Sequence, residues 1–172
     1  MSAFSTSFQS ELSEVPEVAD LSQVTGHVIL QVFDTETGML KYTIENHNLV
    51  VDVGLDEMSQ ATFGVGGAGS TFFDFIEIGT GTTAPTATDT IIETSACARI
   101  QDASPDSNSG TSGETSTSVI SSFDGATCAG AITEAGIFNG IAGGQLLARS
   151  TFGAVTIASG DTLNVNYTIT IT

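Results

Sequence analysis

The C-terminal stretch Thr162-Leu163-Asn164-Val165-Asn166-Tyr167-Thr168-Ile169-Thr170-Ile171-Thr172 alternates strictly between apolar and polar residues. Leu163, Val165, Tyr167, Ile169 and Ile171 share one face, and the Asn and Thr residues share the other. Side chains along a strand point alternately to opposite faces, so this stretch predicts a strand with one face on a core and one on solvent. The same rhythm recurs upstream. In Gly26 to Phe33, Val28, Leu30 and Val32 point one way and His27, Ile29, Gln31 and Phe33 the other. Asp34-Thr35-Glu36-Thr37-Gly38 follows, with an early Asp that can bond its own backbone and a late Gly that supplies positive φ, which predicts a hairpin returning through Met39 to Ile44. Further strands are expected at Asn48 to Val53, Phe72 to Ile78, Ile91 to Ile100, Val119 to Phe123, Ala131 to Phe138 and Gln145 to Phe152. Leu55 to Phe63 reads as a short helix, with Asp56 and Glu57 near its start, where the helix dipole favours acids.

Between these runs lie Gly64 to Ser70, Thr82 to Thr90 and the Ser/Thr/Gly-rich Gln101 to Ser118, which predict two loops and a long surface loop or hairpin tip. The reading is an all-β chain: a single antiparallel β-sandwich, jelly-roll-like, of eight or nine strands over residues 23–172. Residues 1–22 form an N-terminal arm or linker, because Pro16 breaks any continuous helix there. The arm is either a frayed terminus or a segment that orders on a neighbouring subunit, with Phe4 and Phe8 as contact anchors.

The chain carries 3 Lys+Arg against 20 Asp+Glu, a formal net charge of −17, while 40% of its residues are hydrophobic. Disorder needs low hydrophobicity together with high charge, and only the charge is high here. Three cations cannot neutralise a phosphate backbone or hold an anionic membrane surface, so nucleic-acid and membrane partners are excluded on charge. No run approaches the roughly 20 apolar residues of a membrane span, and Met1 to Phe4 lack the basic start of a secretory signal. The scarcity of Lys along the whole chain points to adaptation to concentrated salt rather than to one local acidic patch. At about 1 M salt the screening length falls to roughly 3 Å, and self-repulsion becomes tolerable.

Catalytic constellations are missing from the sequence. It has no G-x-S-x-G elbow and no H-E-x-x-H helix. His27 opens a strand and His47 sits in a Glu45-Asn46-His47-Asn48 turn, both without a partner set. Gly79-Thr80-Gly81 is followed by Thr82-Thr83-Ala84-Pro85 and lacks the Lys of a phosphate loop, so it reads as a strand exit. The acid clusters Asp34 and Glu36, and Asp52, Asp56 and Glu57, do not match a calcium loop. They read as solvated carboxylates that at most recruit Mg²⁺ or Na⁺ loosely, and no catalytic residue, resident cofactor or metal site is expected. Cys97 and Cys128 are either a disulfide between neighbouring strands or two buried thiols, and their spacing leaves both open. Asn166-Tyr167-Thr168 is a glycosylation sequon inside a strand, where modification is not expected.

Three segments taken together resemble small β-sandwich virion proteins of tailed viruses, described as tail-fibre-like, head-fibre-like or capsid-decoration proteins. They are Glu45 to Leu55 (ENHNLVVDVGL), Phe75 to Pro85 (FIEIGTGTTAP) continuing to Asp89-Thr90, and Ile132 to Phe138 (ITEAGIF) followed by Leu146-Leu147-Ala148-Arg149 and the last strand. The resemblance covers residues 26–172. It implies a multimeric structural role on a particle surface and no activity. Carried onto this chain, Asn48 would close a turn before a buried strand, Gly79 and Gly81 would let the chain leave the sheet, and Glu134 and Gly136 would mark a strand start. Arg149 would be a partner for Glu134. The extreme acidity departs from the pattern and suggests a virus of a haloarchaeon.

The expected function is therefore a non-enzymatic virion structural protein, a capsid decoration or turret subunit adapted to high salt. Its partners would be itself, as a cyclic trimer or pentamer, and the major capsid protein or other virion proteins. A tail or tail-fibre component is the alternative within that class. A cell-surface glycan-binding or adhesion module is the alternative outside it.

Overall fold

Val28, Leu30 and Val32 are buried and His27, Ile29 and Gln31 between them are partly exposed, so the alternation read from the sequence is the alternation of the folded strand. The same holds at the C-terminus, where Leu163, Val165, Tyr167 and Ile169 are buried. The computed structural model describes residues 23–63, 72–109 and 114–172. Phe4, Phe8, the rest of the expected arm and the expected loop at 64–70 lie outside the described residues.

Nine strands and two helices occur among the described residues. In chain order they are β1 (Val24–Asp34), β2 (Leu40–Val50), α1 (Asp52–Phe63), β3 (Phe75–Gly79), β4 (Ile100–Gln101), β5 (Asp106–Ser109), β6 (Thr115–Asp124), α2 (Gly125–Cys128), β7 (Gly130–Phe138), β8 (Leu146–Ile157) and β9 (Asp161–Ile171). The strands are antiparallel and hydrogen-bonded in the order β4-β3-β7-β8-β2-β1-β9-β6-β5. The chain is thus all-β, and the two layers of the expected sandwich are the two halves of one curled sheet. The halves meet where the end of β2 leaves β1 and pairs with β8, through Leu49↔Arg149 and Val50↔Ala148. One core cluster draws on both halves, with Val28, Phe123, Val165 and Tyr167 from one and Ile76, Ile78, Ile132 and Ile137 from the other.

The hairpin after β1 is built as its residues predict. Asp34 Oδ1 accepts from the Thr37 backbone N–H at 2.9 Å, and Gly38 takes φ 68°. Asp34 also lies 3.5 Å from Lys41 Nζ, and the same ammonium contacts the buried Asp161 across the turn that opens β9.

Several expectations need correction. Glu45 to Asn48 is not a turn. It lies inside β2, with Asn48 opposite Gly26 and His47 opposite His27. The polar run survives on the inner face because Asn46 Nδ2 donates to Ser150 Oγ and to the Thr151 carbonyl, at 3.0 and 2.7 Å. Ile91 to Ile100 is not a strand either. It makes a single isolated bridge, Ser95↔Gly79, before the two-residue β4. For Gln101 to Ser118, of the two alternatives it is the hairpin that forms, β5 against β6.

Candidate functional site

The glycines and the acid that carry the resemblance converge on one buried ion pair. Glu134 sits mid-strand in β7 and is fully buried, and Arg149 sits in β8, 3% exposed. The strand register places Arg149 opposite Gly136, and Gly136 opposite Glu77 on the other side. Arg149 Nε donates to Glu134 Oε2 at 3.0 Å, and Nη2 lies 2.9 Å from the same oxygen as an ion-pair contact without hydrogen-bond geometry.

The remaining capacity of the carboxylate goes to the backbone of the long β3–β4 connection. Glu134 Oε1 accepts from the N–H groups of Gly81 and Thr94, each at 2.7 Å, and Oε2 accepts from the Glu93 N–H at 2.9 Å. Two ends of a polar loop are thereby pinned to one side chain, and the amides of Glu93 and Thr94 are drawn to Glu134, which limits the pairing of 91–100 with β3 to the single bridge at Ser95 ahead of β4. Gly79 and Gly81, expected to let the chain leave the sheet, do not take positive φ. They need to be small. A Cβ at Gly81 would overlap the Glu134 carboxyl, and one at Gly79 would overlap the Thr94 carbonyl. Gly136 is small for a related reason, being covered by Ile92 and Leu146.

Two further acids complete the cluster, and sequence reasoning missed both. Asp89 Oδ2 accepts from Arg149 Nη1 at 2.8 Å, and Glu93 Oε2 lies 3.6 Å from Nη2. Both acids also fold their own loop. Asp89 accepts from the Thr86 N–H and hydroxyl, and Glu93 from the N–H groups of Thr82 and Thr83. No local signal in the sequence marks them, because both lie far along the chain from Arg149. Burial alone would lower the pKa of Arg149, but its bonds to Asp89 and Glu134 outweigh that and raise it.

The other two cations are also taken. Arg99 Nε donates to Glu77 at 2.7 Å, its Nη1 donates to the Gly140 carbonyl at 2.8 Å, and its guanidinium lies 3.4 Å from the Phe138 ring centre. Lys41 bridges Asp34 and Asp161. Every Lys and Arg of the chain is therefore paired internally.

Of the remaining sequence candidates, Cys97 and Cys128 form a disulfide with a Cα–Cα distance of 5.6 Å. It ties the β3–β4 connection to α2. The expectation that Asn48 closes a turn is replaced by a strand position, and Glu134 and Gly136 lie in the middle of β7 rather than at its start. His27 and His47 face each other across β1 and β2 with ring centres 5.7 Å apart, and His27 lies 3.9 Å from Glu45. Tyr167, fully buried, donates to the Ala135 carbonyl at 2.7 Å, and burial pushes its hydroxyl pKa well up. Among the described residues no group of three or more His, Cys, Asp or Glu side chains is arranged to hold a metal ion, and no helix is long and apolar enough to cross a membrane. The positive group amid Asp89, Glu93 and Glu134 is the guanidinium of Arg149.

The chemistry of this arrangement is cohesion, and it carries a pH dependence. Asp34 is held low by the Thr37 backbone N–H and hydroxyl together with Lys41, Glu93 by Thr83 and Thr82, and Asp161 by Lys41 and the Ala158 N–H. Burial raises Asp89, but Thr86 and Arg149 more than offset it and its pKa is lowered as well. A carboxylate with a depressed folded pKa stabilises above its unfolded value and loses that contribution as pH falls through the folded one. The melting temperature is therefore expected to be flat from about pH 8 to 5 and to drop below about pH 4, where ordinary carboxylates begin to protonate. Thermal scans by circular dichroism across that range test this, and a melting temperature that rises on acidification would contradict it.

No family model, no curated protein and no solved structure matches the chain.

Proposed function

We propose that the chain is a non-enzymatic structural subunit of a virion surface, a capsid decoration or turret protein that works as a homo-oligomer in concentrated salt. The observation that carries this reading is the internal pairing of all 3 basic residues in a chain of net charge −17. Such a chain offers neighbours carboxylates, hydroxyls and apolar side chains, with no Lys or Arg left over to bind an anionic substrate. The buried centre of the fold supports the same reading, because Glu134 spends its carboxylate on Arg149 and on the backbone of one loop. A scaffold of this kind presents a fixed surface rather than a reactive one.

The sheet ends on β5 and β4, of 4 and 2 residues. Short edge strands limit uncontrolled pairing between sheets. Assembly would then use faces, and exposed apolar residues such as Met39, Leu40, Ile91 and Ile141 are available for it. Closed cyclic symmetry would bury them in a finite particle component.

The test is native mass by light scattering of the recombinant chain, first in about 3 M salt and then after dilution to about 0.1 M, where screening reaches only to roughly 10 Å. A discrete trimer or pentamer in high salt that dissociates or unfolds on dilution is expected. Unchanged mass and circular dichroism after desalting would remove the salt adaptation, and a monomer under both conditions would remove the homo-oligomer.

A further inference from the structure

Among the described residues, an apolar cleft of about 520 Å³ runs between the two halves of the sheet, and its floor is Val119, Ile137, Leu147 and Ile169. All four belong to the buried core cluster, so the cleft leads into the core. At its rim Phe72 is 71% exposed, an unusual position for an aromatic ring beside a core opening. Asp74 is the one charged side chain of the lining among the described residues, and Gln101 Nε2 donates to its carboxylate at 2.7 Å.

The chain outside the described residues leaves beside this cleft. Val24, the first residue of β1, pairs with Ile171, which lines the cleft, and Gln23 exchanges two backbone hydrogen bonds with Thr172. On the other side of Val24 a second cleft opens where β2 leaves β1 for β8, lined by Val24, Gly26, Asn48 and Leu55. There Asn48 Oδ1 and Nδ2 are buried with no hydrogen-bond partner among the described residues. A buried amide with both a free donor and a free acceptor is costly, and a peptide backbone satisfies both. The chain preceding Gln23 thus departs between an apolar cleft and an unpartnered amide.

We infer that residues 1–22 fold back onto their own domain, with Phe4 and Phe8 filling the apolar cleft and part of the segment's backbone covering Asn48. Phe4, Phe8 and Leu12 recur every four residues in a Ser- and Glu-rich segment, a spacing that lets them engage one groove together. Some 15 residues separate Phe8 from Gln23, a reach of up to about 50 Å, ample for return to the cleft. A tethered segment sees its own cleft at an effective concentration on the order of millimolar, which favours it over a neighbour's segment. Glu11, Glu14, Glu17 and Asp20 lie on that tether in a protein already strongly acidic. Docking is therefore apolar in its attraction and opposed by charge, and it strengthens with salt. The inference does not depend on the virion assignment.

The experiment uses Nile red, a neutral dye that brightens in apolar sites, with the full chain in about 3 M salt. The full chain is expected to exclude the dye. Truncation of residues 1–22, or the double substitution Phe4→Ser and Phe8→Ser, is expected to raise emission several-fold with unchanged circular dichroism. Adding a synthetic peptide of residues 1–22 to the truncated chain should restore exclusion. Equal emission from the full and truncated chains would overturn the inference. So would exclusion that survives the double substitution, which would leave the cleft to another segment, residues 64–71 among them. Light scattering on the same samples separates the chain's own segment from a second copy's. Exclusion retained by the monomer on dilution supports the inference, and dye uptake on dissociation overturns it.

Discussion

Replacing Glu134 by Gln is expected to destabilise the chain by about 3–5 kcal/mol, the range for removing one partner of a buried ion pair. For a chain of this size that corresponds to a loss of roughly 6–20 °C in melting temperature. Two physical losses combine. Arg149, 3% exposed, keeps its charge but loses the carboxylate that its Nε and Nη2 both face. The backbone donors of Gly81, Glu93 and Thr94 then face an amide with half the acceptor capacity of a carboxylate. Glu93→Gln is the internal comparison. Glu93 lies 3.6 Å from Arg149 with a side chain 42% exposed, and its loss should shift the melt far less. A Glu134→Gln variant as stable as the Glu93→Gln variant would mean that Asp89 and Glu93 satisfy Arg149 by themselves. Replacing both buried partners with apolar residues, Glu134→Leu with Arg149→Met, should recover much of the loss, since removing both charges also removes their desolvation cost.

Removing the disulfide is the second large effect. Cys97 and Cys128 are 31 residues apart, and closing a loop of that length restricts the unfolded chain by about 3–4 kcal/mol in the chain-entropy account. The double substitution Cys97→Ala and Cys128→Ala should lower the denaturation midpoint accordingly, and a reductant should do the same to the wild-type chain. A thiol count on the unfolded, unreduced protein is expected to be zero. Two reactive thiols would mean that the pair is reduced under those conditions, and the predicted loss would then vanish. The bond matters locally as well, because it fastens the one long irregular connection of the fold at a second point beyond Glu134. The two substitutions therefore act on the same segment by different routes. Combined, their effects are expected to fall short of the sum.

The two features differ in how legible they were. Facing of side chains was open to reading because it is local: the two-residue period of an extended backbone shows Val28, Leu30 and Val32 on the buried side without any knowledge of a partner. The hairpin at Asp34 to Gly38 was legible for the same reason, its chemistry lying within five consecutive residues. Asn46 and Asn48 were misread as turn residues because a polar pair usually marks a break. Only the distant Ser150 and Thr151 make Asn46 acceptable inside a strand. Residues 91–100 were misread because their apolar and β-branched composition suits a strand, while the amides of Glu93 and Thr94 are claimed by Glu134, about 40 residues downstream. The pairing of Glu134 with Arg149 was suggested by resemblance, but Asp89 and Glu93 had no local signature at all.

By itself the amino-acid sequence determined the all-β class, the inward faces of the first and last strands, the first hairpin and the imbalance of 20 acids against 3 cations. These follow from composition and from periodicities a few residues long, which backbone geometry imposes wherever the strand ends up. Tertiary structure alone decided the strand order, the curling of one sheet into two layers and the convergence of three acids on Arg149. Those features depend on which distant strands pair, and that choice is made by the burial and hydrogen bonding of the whole chain at once.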